Sequence, residues 1–184
     1  MEKEVQTEVP MNLQALTGET PTGTGKLKRG ALLHYVDASF GSGTEDWFRI
    51  GKDIDDMSVD LSPDTETKTN IWDETTVTDN GYEPKISADP YYANTGDSIY
   101  PKLKDIAMNR KTGDDCKTKY LEVIIDRTGT TFDAWLEDCI VKPQSYGGDK
   151  AGVKIPFDIL PNGNRVQGTV TITDKVPKFT ATTT

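Results

Sequence analysis

Leu121-Glu122-Val123-Ile124-Ile125-Asp126 is followed by Thr128-Gly129 and then by Phe132-Asp133-Ala134-Trp135-Leu136-Glu137. Successive side chains of a strand point to opposite faces. Leu121, Val123 and Ile125 therefore share one face, and Phe132, Ala134 and Leu136 share another beyond the turn. Two alternating strands joined by a Gly-containing turn predict a β-rich domain. The alternation then slips, because Cys139 and Val141 are apolar at odd positions. A β-bulge near Glu137-Asp138 would restore the phase.

Toward the C-terminus, Gly147-Gly148 precedes Val153-Lys154-Ile155-Pro156-Phe157-Asp158-Ile159, and Pro161-Asn162-Gly163-Asn164 leads to Val166 through Ile172. Two strand-like runs around a Gly-containing loop predict a hairpin. Residues 176–184 read as a polar tail. Toward the N-terminus, Ala31-Leu32-Leu33-His34-Tyr35-Val36 is apolar on both faces, as in a buried strand. Gly41-Ser42-Gly43 turns the chain into Trp47-Phe48-Arg49-Ile50. In Asp56-Met57-Ser58-Val59-Asp60-Leu61-Ser62, the three apolar residues alternate with polar ones. Pro63-Asp64 is expected to turn, and Asn80-Gly81 is a strong turn signal. Between them, residues 63–81 are rich in Thr and charge, which predicts a long exposed hairpin. Tyr82 to Tyr92 reads as a strand, with Ile86 and Ala88 on one face.

One helix is expected, at residues 98–110. Ile99, Leu103, Ile106 and Ala107 form an apolar stripe. Asp97 or Ser98 is placed to cap it, and Pro101 falls in the first turn, where its missing N–H costs nothing. Seven to nine strands and a lone mid-chain helix predict a mostly β, α+β fold: a β-sandwich or half-barrel with one flanking α-helix. Residues 1–29 read as an arm, residues 30–175 as the domain. The arm holds Val5, Val9, Met11, Leu13 and Leu16 among Gly, Thr and Pro.

The chain has 184 residues, 34% of them hydrophobic, with 30 acidic and 21 basic side chains for a net charge of −9. Non-specific nucleic-acid affinity depends on Lys and Arg neutralising phosphates, so this balance opposes a DNA-binding module. It suits a surface that DNA passes without sticking. Cys116 and Cys139 are too few for a disulfide framework and are expected as free thiols. No apolar run approaches the ~18 residues of a membrane span. Met1-Glu2-Lys3-Glu4 lacks the basic-then-apolar pattern of a signal peptide, so synthesis in a cytoplasm is expected.

Catalytic patterns are missing from the sequence. The single histidine, His34, sits in an apolar run and is expected in a core or interface. It has no second His or Cys pair for zinc, and no Gly-x-Ser-x-Gly elbow accompanies it. Thr24 stands where a phosphate-binding loop requires Lys. Asp53-Ile54-Asp55-Asp56 lacks the Gly and closing Glu of a calcium loop. No enzymatic activity and no cofactor or metal is expected.

The order of features resembles the major tail (tail tube) proteins of long-tailed bacteriophages. Glu66-Thr67-Lys68-Thr69-Asn70-Ile71-Trp72-Asp73-Glu74-Thr75, running on to Gly81-Tyr82, is similar to their hairpin region. So is the ending Val153–Ile172, with Ile155-Pro156-Phe157 and Asn162-Gly163-Asn164. The resemblance covers roughly residues 28–175. It implies homohexameric rings stacked into a tube, with a continuous inner β-barrel that conducts genomic DNA without binding it specifically. It also implies tail terminator, tape measure and distal tail proteins as partners. Contractile tail-like particles use related inner tubes.

On that reading, Glu66, Lys68, Trp72 and Glu74 are expected at contacts between subunits. Asp56 and Asp60 share a wet face, as do Asp133 and Glu137, and these four are expected to line the lumen, the alternative being ordinary solvent-facing carboxylates on the tube's exterior. The competing reading is an Ig-like or jelly-roll module for adhesion or carbohydrate binding, because strand content alone does not define function.

Overall fold

The computed structural model describes residues 25–54 and 56–182. The arm expected at 1–29 therefore lies outside the described residues except for its last five. Of those, Arg29 already belongs to the fold, opening a 3-10 turn at Arg29–Ala31.

In chain order the strands are β1 (Leu32–Asp37), β2 (Trp47–Ile50), β3 (Val59–Asp60), β4 (Pro63–Thr69), β5 (Thr75–Tyr82) and β6 (Lys85–Ala88). Helix α1 (Tyr100–Asn109) follows. Then come β7 (Lys117–Ile124), β8 (Thr131–Pro143), β9 (Gly147–Asp149), β10 (Gly152–Lys154), β11 (Phe157–Pro161), β12 (Val166–Thr173) and β13 (Val176–Ala181). The protein is mostly β, a half-barrel sheet with one helix against it.

The main sheet runs β2-β1-β7-β8-β11-β6-β3, with β12 also on β8 and β13 on β12. Its spine is the 13-residue β8. Both faces of this sheet are buried, at different ends. One core holds Leu33, Tyr35, Leu121, Val123, Phe132, Ala134, Val170 and Ile172. The other holds Val36, Tyr120, Cys139, Val141, Phe157, Ile159, Ile86 and, from the helix side, Ile99 and Leu103.

This double burial explains the slip at Glu137. The bulge expected at Glu137-Asp138 is absent: β7 and β8 pair without a break from Lys117↔Ile140 to Ile124↔Asp133. Phe132 and Ala134 face one core, and Cys139 and Val141, of opposite parity, face the other. The pattern changed because the covering layer changed.

The expected hairpin of Val153–Ile159 with Val166–Ile172 is also corrected. β11 and β12 do not pair with each other. Both run antiparallel to β8, β11 along Cys139–Pro143 and β12 along Thr131–Leu136. The chain thus continues along one edge of β8, and residues 162–165 form an excursion instead of a reversal. Asp138 fastens that excursion: its N–H donates to Gly163 O (3.1 Å), its carbonyl accepts from Asn162 N–H (2.7 Å), and its carboxylate accepts from Asn164 Nδ2 (2.7 Å).

Residues 176–184, expected as a tail, begin with a strand. β13 pairs with β12 from Gly168↔Ala181 to Thr173↔Val176. As an outer strand it tolerates Pro177, which cannot donate to a ladder, and it keeps polar residues outward, so it reads as a tail.

The helix starts two residues later than expected. Ile99 is its N-cap and makes no side-chain cap. Asp97 instead accepts a hydrogen bond from the Tyr91 hydroxyl (3.2 Å). Arg110, at φ 51°, ends the helix. No helix among the described residues is long and apolar enough to cross a membrane.

Candidate assembly surface

β4 and β5 form a two-stranded sheet of their own, separate from the main one. Apart from Gly81, every residue of these strands is exposed. The alternation of Thr with charged residues offers no apolar face, so the hairpin has nothing to bury against its own domain. Pro63-Asp64, expected to turn the chain, instead starts the hairpin. Asn80-Gly81 is not its turn either: the register shifts between Asp64 and Thr65, opposite Gly81, whose φ is 105°. A glycine takes that backbone at little cost, which suits a bulge.

The true turn is Asn70–Glu74, and Asn70 organises it. Its Oδ1 accepts from the backbone N–H of Trp72 (2.9 Å) and Glu74 (3.0 Å). Its Nδ2 donates to the Glu74 carboxylate (2.7 Å), and its N–H donates to Glu74 O (3.0 Å). This Asx-type locking holds Ile71 and Trp72 out into solvent, at 94% and 75% exposure. Large apolar side chains fixed in the open at the end of a polar rod mark an interaction site far better than a scattered exposed Leu. Of the residues expected at subunit contacts, Trp72 and Glu74 lie in this turn. Glu66 and Lys68 sit on β4 as an exposed ion pair (3.1 Å).

At the root of the hairpin lies an open groove of about 1010 Å³. Its walls include Arg29, Asp56, Met57, Val59, Leu61, Tyr82, Pro84 and Pro161. Leu61 and Tyr82 are exposed at 52% and 64%. The floor is polar. Arg165 donates to Glu137 (2.8 Å) and Glu122 (2.9 Å) and stacks near the Trp135 ring (5.9 Å). Arg29 spans the wall, donating to the carbonyl oxygens of Met57 (2.9 and 3.1 Å) and Leu32 (2.7 Å).

Beneath the groove, His34 is buried, with its ring stacked near Tyr120 and Nδ1 hydrogen-bonded to the Tyr120 hydroxyl. Its Nε2 has no partner among the described residues. Burial first, and the neighbouring Arg29 charge second, lower the imidazole from 6.5 to about 4. His34 is thus the core histidine expected from the sequence, neutral and screened from solvent.

The four carboxylates expected on a bare wet face are dispersed. Asp133 is held by both guanidinium nitrogens of Arg127 (2.8 and 2.9 Å), a bidentate pair that lowers its carboxyl below the usual range. Glu137 is buried at 7% and held by Arg165. Neither supplies free negative charge. Asp56 opens on the groove. Asp60 stays exposed on β3, where its carboxylate accepts from Ser62 N–H (3.1 Å). The groove itself escaped the sequence reading. Arg29, Glu122 and Arg165 are far apart in the chain, and only the pairing of β1, β7, β8 and β12 brings their ends together.

No family model matches this sequence, and no curated protein does. The likeness is one of fold. The chain resembles a tube terminator. In the cryo-EM structure of an extracellular contractile injection system, the PVC sheath/tube terminator in its extended state matches with a TM-score of 0.51. The match covers 79% of this chain and 99% of that one, at 11% sequence identity. Such identity speaks to the backbone alone.

Proposed function

We propose that this chain is a structural subunit of a phage or phage-like tail tube, closing into homohexameric rings that stack around a DNA-conducting lumen. The observation that carries the reading is the hairpin. It presents Ile71 and Trp72 rigidly outside the domain's cores, which a self-sufficient monomer has no use for. A fold shared with a tube terminator supports it. The proposed role is structural and calls for neither catalysis nor a cofactor. Of the four carboxylates expected at a lumen, Asp60 is the one that is exposed and outside the groove; at a lumen its charge would repel phosphates. Tail terminator, tape measure and distal tail proteins are the partners such a tube needs.

A second reading is favoured by the role of the structural neighbour. The chain would form a ring that ends a tube instead of extending it. Negative-stain electron microscopy of the full chain at rising concentration separates the two. Stacked rings with a central hole support the tube subunit, and single rings that never stack support the terminator. A compact monomer at every concentration would refute both and leave an adhesion or carbohydrate-binding module.

A further inference from the structure

We infer that the Ile71–Trp72 tip of one copy seats in the groove at the root of a second copy's hairpin. The inference rests on the self-assembly reading above and names the two surfaces that meet. An apolar knob and a concavity with apolar residues on its walls lie on the same chain. The tip exposes Ile71 and Trp72; the groove offers Val59, Leu61 and Tyr82. The groove's own hairpin cannot fill it. Seven paired residues at ~3.3 Å each carry the tip about 23 Å from Pro63 and Tyr82, and Tyr82 is itself a wall of the groove. A ladder of paired strands does not fold back on its root, so the occupant is another molecule.

Charge agrees at one pair. Arg165 is committed to Glu122 and Glu137 on the floor. That leaves Arg29, bonded to neutral carbonyls, and Asp56 on the walls. Asp73, next to Trp72 in the turn, is the counter-charge offered to Arg29, since Asn70 holds the Glu74 carboxylate and Glu66 holds Lys68. The groove holds roughly one tip, and Trp is the side chain most often dominant at such contacts. Knob and groove are different patches, so the contact is head-to-tail. Contacts of this kind close into rings or run on as filaments.

The test uses four forms: the full chain as wild type, as a tip variant (Ile71→Glu with Trp72→Glu) and as a groove variant (Leu61→Arg), and a chain lacking residues 2–24. All three altered residues are exposed, so circular dichroism and melting should match wild type. Light scattering should show each variant alone weakened in self-association by on the order of 30-fold, the loss of a single strong anchor. An equimolar mixture of the two variants should give one-to-one dimers and nothing larger, because only one intact knob and one intact groove remain. If wild type assembles and both variants assemble equally well, the tip-in-groove contact is wrong and the tube reading survives. If deleting residues 2–24 abolishes assembly while the tip variant does not, the groove's occupant is the arm and the inference falls. A wild type that stays monomeric removes the function and the contact together.

Discussion

His34 allows a sharp test of how the core is built. In an unfolded chain its imidazole takes up a proton near pH 6.5; in the folded protein it does so only near 4. Two effects oppose each other at this site. Glu122 lies 3.9 Å from Nδ1 and would favour the charged ring. Burial at 1% exposure and the Arg29 charge disfavour it. Burial wins because the Glu122 carboxylate is already engaged by Arg165. Between pH 6.5 and about 4 the unfolded state binds a proton that the folded state refuses. Stability is therefore full above pH 6.5 and falls as pH drops through this window. At ~1.4 kcal/mol per tenfold of proton affinity, the loss is about 3 kcal/mol. Because the chain has a single histidine, one imidazole resonance reports the site in an NMR titration. Urea unfolding from pH 7.5 to 4, for wild type and His34→Gln, isolates its contribution from that of the carboxylates. The wild-type curve should fall by about 3 kcal/mol more than the variant's. An imidazole titrating between pH 6 and 7, or two parallel stability curves, would refute this account of the core.

Two further outcomes follow from the outer strands and the hairpin. A Cβ at Gly168 would meet Thr180 O at 2.3 Å and the Phe179 ring at 2.6 Å. Gly168→Ala should therefore push β13 off β12, costing about 1–3 kcal/mol and lowering the melting temperature by roughly 3–10 °C; unchanged melting would mean that β13 packs more loosely than described. Deleting Pro63–Asn80 removes no core residue, so the shortened chain should melt within a few degrees of wild type yet form no rings or tubes by electron microscopy. Loss of the fold would show that the hairpin braces the domain.

What could be read from the sequence follows from which forces are local. Alternation at Leu121–Ile125 and Phe132–Leu136, the helix stripe at Ile99–Ile106 and the polar hairpin at 63–81 are nearest-neighbour patterns, and each marks a real element. Sheet neighbours are not encoded that way. Pro161-Asn162-Gly163-Asn164 has the chemistry of a reversal, but the edge of β8 drew the chain straight on, because β11 and β12 each gained a ladder and a core. The slip at Glu137 mimicked a bulge because one strand serves two cores. Val176–Ala181 looked like a tail because an outer strand hides few side chains. For the site, the hairpin was visible through its excess of Thr and charge, whereas the groove required Arg29, Tyr82 and Arg165 to be brought together from three regions of the chain.

The separation of Tyr82 from Arg165 along the chain also orders events during synthesis. All the hairpin's residues have emerged once Tyr82 has, since its pairings are between β4 and β5. The groove needs Pro161 and Arg165, some 80 residues later. At ~5–20 residues per second, roughly 4–17 s separate the emergence of the hairpin from that of the last groove residues. On the contact inferred above, nascent chains on one message would carry a tip before they could receive one, and polymerisation would wait for nearly complete subunits.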